Sequence, residues 1–330
     1  MPSRDSKITG RWMIEGEPHG IAVTAGGVVY VGLARSQSVV AIDPKNEKIL
    51  REVVLDSEEI ASTKELLTMR LNHDESRLVV AQGSDESVTI LALPSLHVVR
   101  EIGLEGETIR DAVPDPQGRY LYVLGRSVRV FDAIGERELR TLADVEPMAI
   151  AANRDGSLLA VIGSEEFESG KATVAVFYET ETFKETGRVP LETDRIIRSA
   201  FFAAGDRSLV ALASDWLAEK SIRPRVEKSI GNDPSAMRMT LEFGDLASGE
   251  AICLPEGSGP QIGVLTDEGK RIVFAEARCS SGSETFTGSR REVQSSSLYG
   301  ISAYALAIDP SSGSIFATDR AGFLTRYRMP

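Results

Sequence analysis

The chain is poor in the residues that build thiol and metal chemistry. Its 330 residues hold two cysteines, Cys253 and Cys279, and three histidines, His19, His73 and His97. The cysteines form no C-x-x-C pair, and three scattered histidines do not furnish a multi-histidine metal centre. Glycine-rich phosphate loops, nucleophile elbows and His-Glu-x-x-His motifs are missing as well. No metal and no cofactor is therefore expected. Long apolar runs are also missing: the longest, residues 28–34, is interrupted by Gly32 and falls far short of the ~20 residues of a membrane helix. The first seven residues lack the apolar stretch of a secretory signal. Positive charge is in short supply, with 37 Lys and Arg against 49 Asp and Glu, a net charge of −12. A generic binder of nucleic acid or anionic membrane leans the other way. These absences predict a soluble, cytoplasmic monomer with reduced thiols that binds neither nucleic acid nor membrane.

What the chain does have is a globular composition, 42% hydrophobic and 26% charged, and a repeat. The unit is a short apolar strand, a polar turn, a second apolar strand, a third strand, another turn and a fourth strand. It is clearest where Ile109 to Val113 is followed by Asp115-Pro116-Gln117-Gly118, then residues 119–125, 127–132 and 137–142. Alternating, β-branched and aromatic runs bounded by Gly, Asp and Pro are strand signals. Copies start near residues 18, 67, 109, 147, 197, 260 and 303, spacings of roughly 40–60 residues that suit propeller blades. The last copy runs out of chain after three strands, while Lys7 to Ile14 reads as a strand with no unit of its own. Pairing it into the last unit removes an exposed edge. The expected architecture is all-β, a single seven-bladed β-propeller over residues 1–330 closed by the N-terminal strand. One short helix is expected over residues 56–67.

The segments Val29-Tyr30-Val31-Gly32, Val39-Val40-Ala41-Ile42-Asp43 and Asp115-Pro116-Gln117-Gly118-Arg119-Tyr120-Leu121-Tyr122-Val123 resemble the YVTN-type repeats of bacterial β-propellers. That superfamily is similar to the quinoprotein amine dehydrogenase and lactonase propellers. The resemblance implies a fold, and fold alone does not imply a function.

In a propeller, the loops entering the inner strands share one face with the loops joining second and third strands. Counting back five residues from the polar turns at Asp115, Asn153, His73, Ala203, Thr266 and Asp309 gives Arg110, Met148, Thr68, Arg198, Gln261 and Tyr304. In the first unit the counterpart is His19, when Pro18 is aligned with Pro147. Arg70 and Arg195 lie close by in sequence. Two readings of the arginines stand side by side. Each pairs with a neighbouring acid such as Asp111 or Asp194, or Arg110 and Arg198 converge on a carboxylate or phosphate.

Long connections mark the fourth to sixth units: residues 164–171, 214–236 and 279–297. Long loops on a rigid scaffold are where function usually resides. The loop 214–236 carries Trp216 and suits a lid or a docking arm. Two function classes follow. One is a pocket for a small anionic molecule, lined by Thr68, Arg70, Arg110, Met148, Arg198, Gln261 and Trp216, with metal-free acid–base catalysis by His19 or Tyr304. The other is an interaction scaffold that recognises an acidic peptide or protein.

Overall fold

The computed structural model describes residues 7–55, 67–82, 86–142, 144–167, 170–191, 196–203, 208–214, 236–242, 249–253, 260–266, 271–276, 294–298, 303–319 and 321–328. Among them are 27 strands in seven sheets and no helix. Six sheets have four strands and one has three. Of the segment expected to be helical, residues 56–67, all but Leu67 lie outside the described residues, and Leu67 is in a strand; the interior of the loop 214–236, with Trp216, and Asp194, Arg195 and Cys279 also lie outside them. The chain divides into two compact units.

One unit comprises residues 7–143 and 304–330. Its first sheet is β2 (Pro18–Val23), β3 (Val29–Leu33), β4 (Ser38–Asp43) and β5 (Lys48–Val54) in sequence order. The next is β6 (Leu67–Leu71), β7 (Arg77–Gln82), β8 (Ser87–Ala92) and β9 (His97–Gly103). The third is β10 (Asp111–Pro114), β11 (Tyr120–Leu124), β12 (Val128–Asp132) and β13 (Glu138–Leu142). In the last, β1 (Lys7–Met13) lies beside β27 (Phe323–Arg328), then β26 (Ile315–Asp319) and β25 (Ala303–Ile308). The register runs antiparallel from Lys7 opposite Arg328 to Met13 opposite Phe323. Arg11 stacks on the Phe323 ring at 3.9 Å and Arg326 on the Trp12 ring at 5.6 Å. The N-terminal strand is thus fastened where the sequence pattern placed it.

Strands such as Val-Tyr-Val-Gly-Leu are buried along their whole length because both faces meet neighbouring sheets. Ile21, Val23, Val31 and Ile42 pack with Phe316 and Leu324, and Tyr30 and Val39 with Met69, Leu78 and Leu91. Burying such side chains stabilises the fold by about 1.5–3 kcal/mol each.

The other unit covers residues 144–303. It holds β14 (Glu146–Ala152), β15 (Leu158–Phe167), β16 (Gly170–Glu179) and β17 (Lys184–Leu191). Next come β18 (Ile196–Ala203), β19 (Ser208–Ser214), β20 (Ala236–Glu242) and β21 (Gly249–Cys253). A three-stranded sheet has β22 (Pro260–Thr266), β23 (Arg271–Glu276) and β24 (Gln294–Leu298), the last pairing parallel to β23. The expected long connection at 164–171 is a correction: β15 and β16 pair as far as Phe167 opposite Gly170, so most of it is hairpin. Nothing in Leu158 to Phe167 breaks a strand, since the run has no proline and its one glycine, Gly163, fits opposite Pro147.

The polar turns after the inner strands share one construction. The side-chain oxygen of Asn72 accepts from Arg77 N at 2.8 Å, and that of Asn153 accepts from Leu158 N at 2.8 Å. Each Asn amide then donates to an aspartate two residues on, Asp74 or Asp155. The fourth position takes positive φ, filled by Gly118, Gly156 or Glu75. Side chains that fold back onto the backbone in this way close tight turns.

Candidate ligand-binding site

The turns provide an internal ruler for the inner strands. Thr24, Asp115, Asn153 and Asp309 each donate a backbone N–H across the turn, to Val28, Tyr120, Leu158 and Ser314. Ala203 opposite Ser208 and Thr266 opposite Arg271 occupy the same place. Counting back five from these positions gives His19, Arg110, Met148, Tyr304, Arg198 and Gln261. Thr68 is a correction. The residue that closes its turn is Asn72 rather than His73, because Asn72 N donates to Arg77 O. The count then falls on Leu67, and Thr68 stands one residue further along on the other side of the strand.

At four of these positions the inner strand is irregular. Its pairing jumps between Pro18 and Ile21, Pro147 and Ala149, Ile197 and Ser199, and Pro260 and Ile262. The residues passed over include His19, Met148, Arg198 and Gln261. A bulge leaves a residue out of the ladder and re-aims it, a device common beside functional sites. Gly163 makes the close packing at one bulge feasible: a Cβ there would lie 2.5 Å from Glu146 O and 2.6 Å from Val145 Cγ2.

Within the unit of residues 7–143 and 304–330, two candidates meet. The His19 and Tyr304 rings are 3.9 Å apart, centroid to centroid, and tilted by 34°. His19 is buried, and Thr318 of β26 donates its hydroxyl to the His19 carbonyl at 2.7 Å. The Thr68 hydroxyl is enclosed and has no hydrogen-bond partner. Arg70 is half exposed and forms an ion pair with Asp111, Nη2 to Oδ2 at 2.8 Å, linking β6 to β10. The Asp111 charge raises the guanidinium further above its ordinary value.

Arg110 enters β10 exposed and is itself engaged by neighbouring groups. Of the acids beside it in sequence, Asp111 is held by Arg70, while Glu107 is held by Arg129, which also reaches Glu138 at 3.2 Å. The sequence missed the Arg129–Glu107 contact and the tie from Thr318, both of which bridge distant segments. Arg198 belongs to the other unit with Met148 and Gln261. The expected meeting of Arg110 with Arg198 is a feature of neither unit taken alone. His73 lies in a turn and His97 opens β9, both exposed and in the unit that holds His19. Among the described residues, no three His, Cys, Asp or Glu side chains gather as a metal site, and no helix is long and apolar enough to cross a membrane.

Together, antiparallel four-stranded sheets and the absence of helix among the described residues define a β-propeller-like fold. The hydrazine synthase of Kuenenia stuttgartiensis, a β-propeller protein, is similar to this chain with a TM-score of 0.71 over 97% of both chains, at 14% identity. At that identity the likeness concerns the fold. No protein-family model matches, and no curated protein matches either.

Proposed function

We propose that the chain is a seven-bladed β-propeller of the YVTN type, closed by β1, that binds a small anionic molecule at the inner-strand entrances. The observation that carries this reading is the pairing of position with irregularity. The inner-strand position singled out by the turns coincides with a bulge in four sheets, and two of its residues, His19 and Tyr304, meet ring to ring. Regular strands would need neither feature for stability alone.

Arg110 supplies the positive charge for a carboxylate or phosphate, which guanidinium groups grip through paired hydrogen bonds, while Arg70 is paired with Asp111. Met148, Arg198 and Gln261 hold the corresponding positions in the other unit. His19 is the group suited to move a proton near neutral pH, with Tyr304 as its ring partner. Acid–base turnover without a metal is the catalytic form of this proposal.

Calorimetric titration with inorganic phosphate and with succinate tests the reading. Arg110→Ala should weaken binding by ~1.5–3 kcal/mol, as expected for a charged hydrogen bond, and leave a neutral succinamide unaffected. Equal losses for charged and neutral probes, or no binding of either anion to the wild-type chain, would overturn it.

A further inference from the structure

We infer that Thr318 is the positioning residue for His19, holding the imidazole in place through the backbone; this rests on the proposed role of His19. Pro18 pairs with Leu33 and Ile21 with Val31, so His19 and Gly20 stand outside the regular ladder between β2 and β3. A residue released from its ladder needs another restraint if its side chain is to keep one orientation.

Thr318 supplies it from 299 residues away in sequence: its Oγ1 donates to His19 O at 2.7 Å, and Thr318 itself is fully buried. Thr318 sits on β26 opposite Leu324, which is also fully buried and packs in one core with Ile21, Val23 and Phe316. The hydroxyl is therefore mounted on a rigid part of the last sheet. The His19 ring meets Tyr304, from β25 in the same sheet. One sheet thus restrains His19 twice, at the carbonyl and at the ring. A buried hydroxyl bonded to a bulged carbonyl adds little that packing does not already give to the sheet, but it fixes the φ/ψ of the residue whose ring must be aimed.

The experiment uses the full chain with 13C/15N-labelled histidine. With three histidines in the sequence, the His19 ring signals are assigned by loss in His19→Asn. Thr318→Val keeps the shape and removes the donor. The expected result is that His19 ring signals shift and titrate at a different pH, that His73 and His97 signals stay put, and that Thr318→Ser restores the wild-type His19 spectrum. Phosphate affinity should fall several-fold in Thr318→Val and recover in Thr318→Ser. If Thr318→Val does not fold, Thr318→Ser decides: a His19 spectrum unlike wild type there overturns the inference, because the hydroxyl is still present. Unchanged His19 signals in a folded Thr318→Val overturn it too. If phosphate binds no form of the chain, the proposed function fails, while the histidine spectra still decide the role of Thr318.

Discussion

At the scale of single residues, glycines separate two kinds of constraint that the sequence writes with one letter. Gly163 has an ordinary backbone conformation but no room: Glu146 O and Val145 Cγ2 crowd the space of a Cβ. Gly118 has open space around it but a φ of +70°. Gly163→Ala must push the backbone of β14 away at its bulge, so it should cost about 1–3 kcal/mol, as overpacking does. Gly118→Ala should cost about 1–2 kcal/mol through backbone strain alone. Urea unfolding midpoints measure both. Phosphate binding provides a second readout, in which only Gly163→Ala, which disturbs a bulge, should alter affinity.

At the scale of strands and turns, four tyrosines on separate strands are buried. Burial is the main cause that raises Tyr30, Tyr122, Tyr178 and Tyr327 above the usual phenol value. Negative charge adds to it at each: Glu75 beside Tyr30, Asp115 beside Tyr122, Asp144 beside Tyr178 and Asp319 beside Tyr327. Tyr178 donates its hydroxyl to Asp144 at 2.6 Å, which further favours the protonated form. Tyr327 is pushed up to about 12. The sign follows from linkage: a folded-state value above the unfolded value of about 10 stabilises the fold below pH 10. That stability is lost as pH rises from 10 towards the folded value. Tyrosinate absorbance should thus show these four tyrosines ionising together with loss of β-sheet circular dichroism. A titration of these four near pH 10 with the fold intact would contradict this.

At the scale of the molecule, the chain ends are joined through one sheet, since β1 covers the edge of β27 along nearly its whole length. Removing residues 1–14 leaves the backbone groups of Phe323 to Arg328 without that partner and uncovers Trp12's neighbour Phe316. The shortened chain should melt at a lower temperature and form soluble aggregates in size-exclusion chromatography, because an open strand edge templates pairing with another chain. The other sheets should keep their strand content by circular dichroism. The outer strands carry a device against the same hazard. Pairing shifts between Ala41 and Ile42, Ile90 and Leu91, and Val130 and Phe131 put bulges opposite them, and Leu50, Val99 and Leu139 are the exposed residues at these breaks. Bulged edges accept a new strand poorly.

The sequence by itself determined most of the strands, where the repeats begin and the partner of the N-terminal strand, but not the strands of the sixth repeat, whose sheet has three strands with β24 parallel to β23. Those features follow from local alternation, from turns built of Asn, Asp and Gly, and from a strand count that left one segment over. It also marked His19 and Tyr304 as equivalent, since position within a repeat is a local property. Only the tertiary structure decided that Asn72 closes its turn, which moved Thr68 by one residue, because the choice rests on which side chain reaches Arg77 N. Only it gave Asp111 to Arg70 instead of Arg110, turned residues 164–167 into strand, and set Thr318 on the carbonyl of His19. Each of these depends on distances between segments far apart in the chain. Charge and hydropathy patterns record which groups need partners, and packing selects the partner.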